Sequence, residues 1–182
     1  VTMLQNDDLD FYLERSNPDN PDQVWFRDYW EDLKIIEETI SVKGGDDIPL
    51  RVRISRHGPI INDVLKSVEK TESHPVALAW EMLADYENST EQVFYELGHS
   101  NSLAESLAAV SKLHSPGLNI NYGDAEGNIA WWGAARLVIR PSHVNSFIIL
   151  DGASGKDEVL GYRDFSGNPQ SVNPESGMVF NG

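Results

Sequence analysis

Short runs of alternating apolar and polar residues fill the first third of the chain, helical spacing takes over in the middle, and alternation returns in the last third. Residues 1–15 alternate weakly, with a strand-like segment already under way at Val1-Thr2-Met3. Residues 16–22, Ser-Asn-Pro-Asp-Asn-Pro-Asp, read as a loop, because two prolines and two asparagines interrupt a strand ladder. Two hairpins are predicted next. Val24-Trp25-Phe26 and Tyr29-Trp30 flank Arg27-Asp28, and the runs 35–42 and 48–54 flank Lys43-Gly44-Gly45-Asp46-Asp47. Glycine between β-branched runs is a strong hairpin signal, because it supplies the positive φ that tight turns require.

From Ser73 and Pro75 onward the spacing predicts a helix over 76–86. Ser89 with Gln92, and Ser102 with Glu105, each have the three-residue spacing of a capping box. Leu103, Leu107 and Val110 share one helical face, and Pro116-Gly117 is the expected end of that helix. The runs 118–122 and 129–139 form a third hairpin around Gly123-Asp124-Ala125-Glu126-Gly127-Asn128, and residues 151–177 read as loops with short strands. The predicted fold class is α+β: mostly antiparallel β with a central pair or trio of helices. Three stretches follow along the chain: a β-rich part over 1–72, a helical part over 73–117, and a β and loop part over 118–182.

Composition narrows the partners. The 182 residues suit one compact domain, and 40% apolar residues suffice for a core. With 14 Lys plus Arg against 29 Asp plus Glu, the net charge of −15 argues against nucleic acid and against an anionic membrane surface. The absence of cysteine excludes disulfides, thiolate metal sites and a cysteine nucleophile. No apolar run reaches membrane-spanning length. A chain that starts within an element at Val1 is expected to be a piece of a longer protein.

Several short motifs invite chemistry. Gly152-Ala153-Ser154-Gly155-Lys156 has some phosphate-loop character but lacks its full spacing and the Ser/Thr after Lys156. No serine occupies a nucleophile elbow, and the five histidines show no i, i+4 pair. Asn88-Ser89-Thr90 matches a glycosylation acceptor. Asp7, Asp8 and Asp10 form an acidic knot, either a solvated surface or part of a hard-cation site. His57-Gly58-Pro59 follows a predicted strand and reads as a turn, with an active-site histidine as the alternative.

Five segments, taken in order, resemble the penicillin acylase (penicillin amidase) family of N-terminal-nucleophile hydrolases. They are Asn6-Asp7-Asp8-Leu9-Asp10-Phe11-Tyr12; Trp30-Glu31 through Glu37-Glu38-Thr39-Ile40-Ser41-Val42-Lys43; Arg56-His57-Gly58-Pro59-Ile60; Asn121 through Ile129; and Val172-Asn173-Pro174-Glu175-Ser176-Gly177. The resemblance implies an amide hydrolase made as a precursor that cuts itself in two. The serine at the new N-terminus attacks, with its own α-amino group as base. That serine is expected upstream of Val1, which makes this chain an internal piece of the second chain, inactive alone and partnered by the remainder of its precursor.

The resemblance further implies an oxyanion hole using the backbone N–H of Met3, with a second donor from an asparagine just beyond Gly182. It implies an acyl pocket with Trp80 and Leu118 on its wall and Val1 and Gln5 at its floor, around a small-molecule amide substrate. Gln5 stands where phenylacetyl-preferring members carry an aromatic residue, which allows a more polar or longer acyl chain. Structural calcium (Ca2+) is implied for the parent, through the side chains of Asp7 and Asp10 and the carbonyl of Leu9, with another carbonyl near Ser146 and a carboxylate from outside this chain. Half a shell binds the ion weakly. His57 has no role as base in that mechanism, which favours its turn reading. The family implies a periplasmic or secreted location. Two alternatives stand beside this reading: a secreted acidic module that binds calcium or a partner without catalysis, and an acylase acting on acyl-homoserine lactones.

Overall fold

The computed structural model describes residues 1–65, 68, 74–84 and 90–180. Ser73, Ser89 and the Asn88-Ser89 part of the glycosylation motif lie outside the described residues. The chain divides into two compact units of interleaved segments. The first comprises Val1–Asp8, Glu81–Ile139 and Leu160–Gly182, and the second Leu9–Trp80 and Arg140–Val159. Pairing is antiparallel almost throughout, in keeping with the α+β expectation.

In the first unit, β1 (Thr2–Met3), β10 (Leu118–Gly123), β11 (Ile129–Ala134) and β15 (Gln170–Val172) form one sheet in the order β1-β10-β11-β15. The third hairpin is as expected, with Leu118 opposite Ala134 and Gly123 opposite Ile129. Alternation drives Leu118 and Ile120 from β10, and Ala130, Trp132 and Ala134 from β11, into one core with Val93, Val110 and Leu113. The flanking alanines leave room for the fully buried indole of Trp132. Among the described residues this unit holds the α-helices α1 (Glu81–Ala84), α2 (Thr90–His99) and α3 (Leu103–Val110). Ser102 caps α3 by accepting from the Glu105 N–H at 3.2 Å, while the Glu105 carboxylate takes the Asn101 N–H at 2.7 Å. The reciprocal cap is therefore displaced by one residue from the ideal box. The helix also stops at Val110, well before Pro116-Gly117; the N–H groups of Lys112 and Leu113 bond three residues back, to Ala109 and Val110, and tighten its end.

In the second unit, β2 (Leu9–Leu13) lies between β9 (Val76–Trp80) and the parallel β13 (Leu150–Asp151). Beside this sheet the unit contains the meander β3 (Arg15–Asn17), β4 (Asn20–Phe26) and β5 (Tyr29–Asp32), and the hairpin β6 (Lys34–Ile40), β7 (Ile48–Ser55) with β8 (Gly58–Pro59). Tyr12, Ile60, Ala77 and Leu150 form its core. The first two predicted hairpins are present, with Phe26 opposite Tyr29 and Ile40 opposite Ile48.

Two expectations are corrected. Residues 76–80 are strand rather than helix: Val76 to Trp80 pair with Leu13 to Leu9, and of the described residues in the expected helix Glu81–Ala84 are helical. A short apolar run has no period that separates strand from helix, so the free edge of β2 decides. Residues 16–22 are not a loop but the turn and flanks of the β3–β4 hairpin. The asparagines make the turn instead of breaking the ladder: Asn17 Oδ1 accepts from Asp19 N–H and Asn20 Oδ1 from Asp22 N–H.

Candidate functional site

Strand β1 forms the edge of its sheet among the described residues. Thr2 faces Asn119 and Met3 faces Leu118, and the Leu4 N–H donates to the Gly117 carbonyl at 2.9 Å. Antiparallel ladders alternate, so the Met3 N–H is directed away from β10, toward the open side of the sheet. Thr2, Met3, Leu4, Gln5, Asn119, Trp131 and Pro169 line a surface depression of about 530 Å³ at this edge.

Local sequence shapes the depression. Gln5 has φ +53°, a left-handed conformation uncommon outside glycine. The chain then runs close against Gly117, where a Cβ would collide with the Asn6 side chain. Gly133 likewise leaves room for Leu4. Asn119 ties the edge together: its Nδ2 donates to the Met3 carbonyl at 2.9 Å and to Thr2 Oγ1 at 3.3 Å, and its Oδ1 accepts from Trp131 Nε1 at 3.0 Å.

Of the residues singled out in the sequence, Met3 and Gln5 meet in this depression. Val1 is largely exposed, and Leu118, opposite Met3, turns its side chain into the core of the first unit. Trp80 belongs to the second unit, where it closes β9 opposite Leu9. Asn119 and Trp131 were missed. A polar residue in an alternating strand is an ordinary surface position, and nothing in the sequence marks its partner 116 residues away.

In the second unit, His57 occupies the turn between β7 and β8, as its turn reading expects. It is nonetheless the centre of a buried network. Its Nδ1 lies 2.8 Å from Glu14 Oε1 and its Nε2 2.6 Å from Glu158 Oε1. The ring stacks on Tyr12 at 4.0 Å between centroids and 7° between planes. Burial pushes the imidazole down, but the two carboxylate hydrogen bonds outweigh it and raise its pKa to about 9. His57 in return holds the Glu158 carboxyl below the usual range. Burial first, and then the charges of Asp10 and Glu158, push the Tyr12 phenol up. Arg56 sits 3.3 Å from the Phe26 ring centroid and 3.8 Å from Glu158. An imidazolium held between two carboxylates is a structural pin and a poor general base.

The acidic knot is split by the unit boundary: Asp7 and Asp8 fall in the first unit, Leu9 and Asp10 in the second. Asp10 is buried, and its Oδ2 accepts from Arg140 Nε at 2.9 Å. No group of three or more His, Asp or Glu side chains capable of holding a metal gathers among the described residues. The knot therefore does not fit a calcium shell by itself, because the guanidinium already supplies the positive charge at Asp10. The glycine-rich segment after β13 is equally unsuited to phosphate: Asp151 Oδ1 takes the N–H groups of Ala153 and Ser154, at 2.8 and 3.3 Å. No helix among the described residues is long and apolar enough to cross a membrane.

Comparison with known proteins agrees with this organisation. The family model described as penicillin amidase matches residues 1–182. The acyl-homoserine lactone acylase QuiP of Pseudomonas aeruginosa is 24% identical over 186 residues, covering 98% of this chain and 22% of that protein. Penicillin G acylase of Escherichia coli is 25% identical over 178 residues, covering 96% and 20%. The solved structure of the thermostable penicillin G acylase from Alcaligenes faecalis superposes with a TM-score of 0.82 at 26% identity, covering 97% of this chain and 30% of that one. The chain thus spans about a fifth of the length of these curated relatives. With a match along its whole length and a shared fold, the chain belongs to the penicillin amidase family.

Proposed function

We propose that the full-length protein is a self-processing amide hydrolase that releases a carboxylic acid from an acylated amine, and that this chain supplies one side of its oxyanion hole. The observation that carries the reading is the Met3 N–H directed to the open edge of β1, in a chain matched from end to end by the penicillin amidase family. A backbone donor fixed at a strand edge stabilises the charge that develops on the attacked carbonyl oxygen without reorganising during the reaction. Losing one such donor costs on the order of 10²–10³ in kcat. The nucleophilic serine and the second donor would come from the remainder of the precursor, and the location would be periplasmic or extracellular.

For the acyl group, Gln5 in the depression beside Met3 favours a longer or more polar chain over phenylacetyl. The likeness to an acyl-homoserine lactone acylase supports that second, narrower reading. Calcium enters only at the level of the full-length protein. Asp7, the Leu9 carbonyl and Asp10 would contribute to its shell together with groups from elsewhere, and Arg140 would have to release Asp10.

The test is the intact mass of the expressed full-length protein, N-terminal sequencing of its chains, and hydrolysis assays with phenylacetyl amides and N-acyl homoserine lactones. Two chains, the second beginning with serine, and release of free acid are expected. A single uncut chain without hydrolysis overturns the proposal and favours an acidic calcium- or partner-binding module.

A further inference from the structure

We infer that Asn119 is a positioning residue for the Met3 peptide, and that Trp131 sets the orientation of the Asn119 amide. This rests on the reading of Met3 as an oxyanion donor. Met3 is 61% exposed, and among the described residues β10 is the strand that pairs with β1. Asn119 adds side-chain bonds to that pairing. One primary amide grips the Thr2 hydroxyl on one side of the Met3 N–H and the Met3 carbonyl on the other. The Leu4 N–H, bonded to Gly117, pins the same Met3–Leu4 peptide from its opposite face. The Met3–Leu4 peptide is thereby held from both sides, and the same amide ties down the Thr2 side chain on the other flank of the Met3 N–H.

The grip works only with the Asn119 amide in one orientation. Nδ2 must face Met3, and so Oδ1 faces Trp131 Nε1, a donor with no acceptor capacity. A reversed amide would set a carbonyl oxygen against a carbonyl oxygen and an N–H against an N–H. Trp131 therefore selects the productive orientation from the neighbouring strand.

The test uses Asn119→Asp and Trp131→Phe in the full-length protein. Asn119→Asp keeps the size and the acceptor for Trp131 but puts a carboxylate oxygen against the Met3 carbonyl. Trp131→Phe removes the N–H that orients Asn119, together with part of the ring. A drop in kcat of about 10- to 100-fold for Asn119→Asp, and a smaller drop for Trp131→Phe, are expected with KM nearly unchanged, because the lost alignment is felt in the transition state. A boronic-acid transition-state analogue should weaken by the same factor in each variant, while inhibition by the product carboxylate stays constant. Circular dichroism and chain sequencing verify that each variant is folded and cleaved. Wild-type kcat in both variants, or a rise in KM alone, overturns the inference and leaves the hydrolase reading intact. Wild-type protein without amidase activity overturns both.

Discussion

Arg140 reaches back 130 residues to hold the buried carboxylate of Asp10, with Nε 2.9 Å and one terminal nitrogen 2.8 Å from the same Oδ2. Removing one partner of a buried pair strands the other charge. Arg140→Met should therefore lower stability by about 3–5 kcal/mol. The double variant Asp10→Asn/Arg140→Met should recover much of that loss, since no uncompensated charge remains. Urea denaturation of the two single variants and the double variant checks this; strict additivity would mean that the pair is not coupled.

The pin at His57 makes stability depend on pH. Its folded pKa, about 9, lies above the ordinary value of 6.5, so the folded state binds the proton more tightly. The contribution is complete below pH 6.5 and is lost as pH rises through 9, up to about 3 kcal/mol. His57→Gln should flatten the denaturation profile across that window. An unchanged profile in the variant would assign the alkaline loss to other groups.

Gly58→Ala should be costly for two reasons acting together. Its φ is +139°, and a Cβ there would collide with the Leu78 carbonyl in β9. Gly44 has a positive φ of +79° but open space around it. Thermal unfolding should show a loss of about 2–3 kcal/mol for Gly58→Ala and about 1 kcal/mol for Gly44→Ala. Equal losses would remove the steric part of the argument.

Ser102→Ala should weaken α3 by about 0.5–2 kcal/mol, because the Glu105 N–H loses its acceptor at the helix start. Amide exchange over residues 103–107 is the direct measure. Unaltered protection there would mean that the Glu105 carboxylate alone closes the terminus.

What was legible in the sequence was local. The three predicted hairpins and the α3 cap depend on residues within a few positions of one another, so turn glycines, β-branched runs and a serine three residues ahead of a glutamate sufficed. The ordered segments that resemble the penicillin amidase family were equally readable, and they pointed to Met3 without any knowledge of its pairing. The reading failed where the deciding partner was distant. Residues 76–80 became strand because β2 offered them an edge, and 16–22 became a hairpin because Val24 and Trp25 return opposite Ser16 and Arg15.

The sequence by itself determined the family, the alternation that builds the β10–β11 core, and the turns, since these rest on residue type and short-range geometry. Tertiary structure alone decided which polar groups meet: Asn119 with Met3, His57 with Glu14 and Glu158, Asp10 with Arg140. The reason is physical. A hydrogen bond acts over about 3 Å whatever the separation along the chain, and a side chain's partner is fixed only when the sheets bring the two strands together.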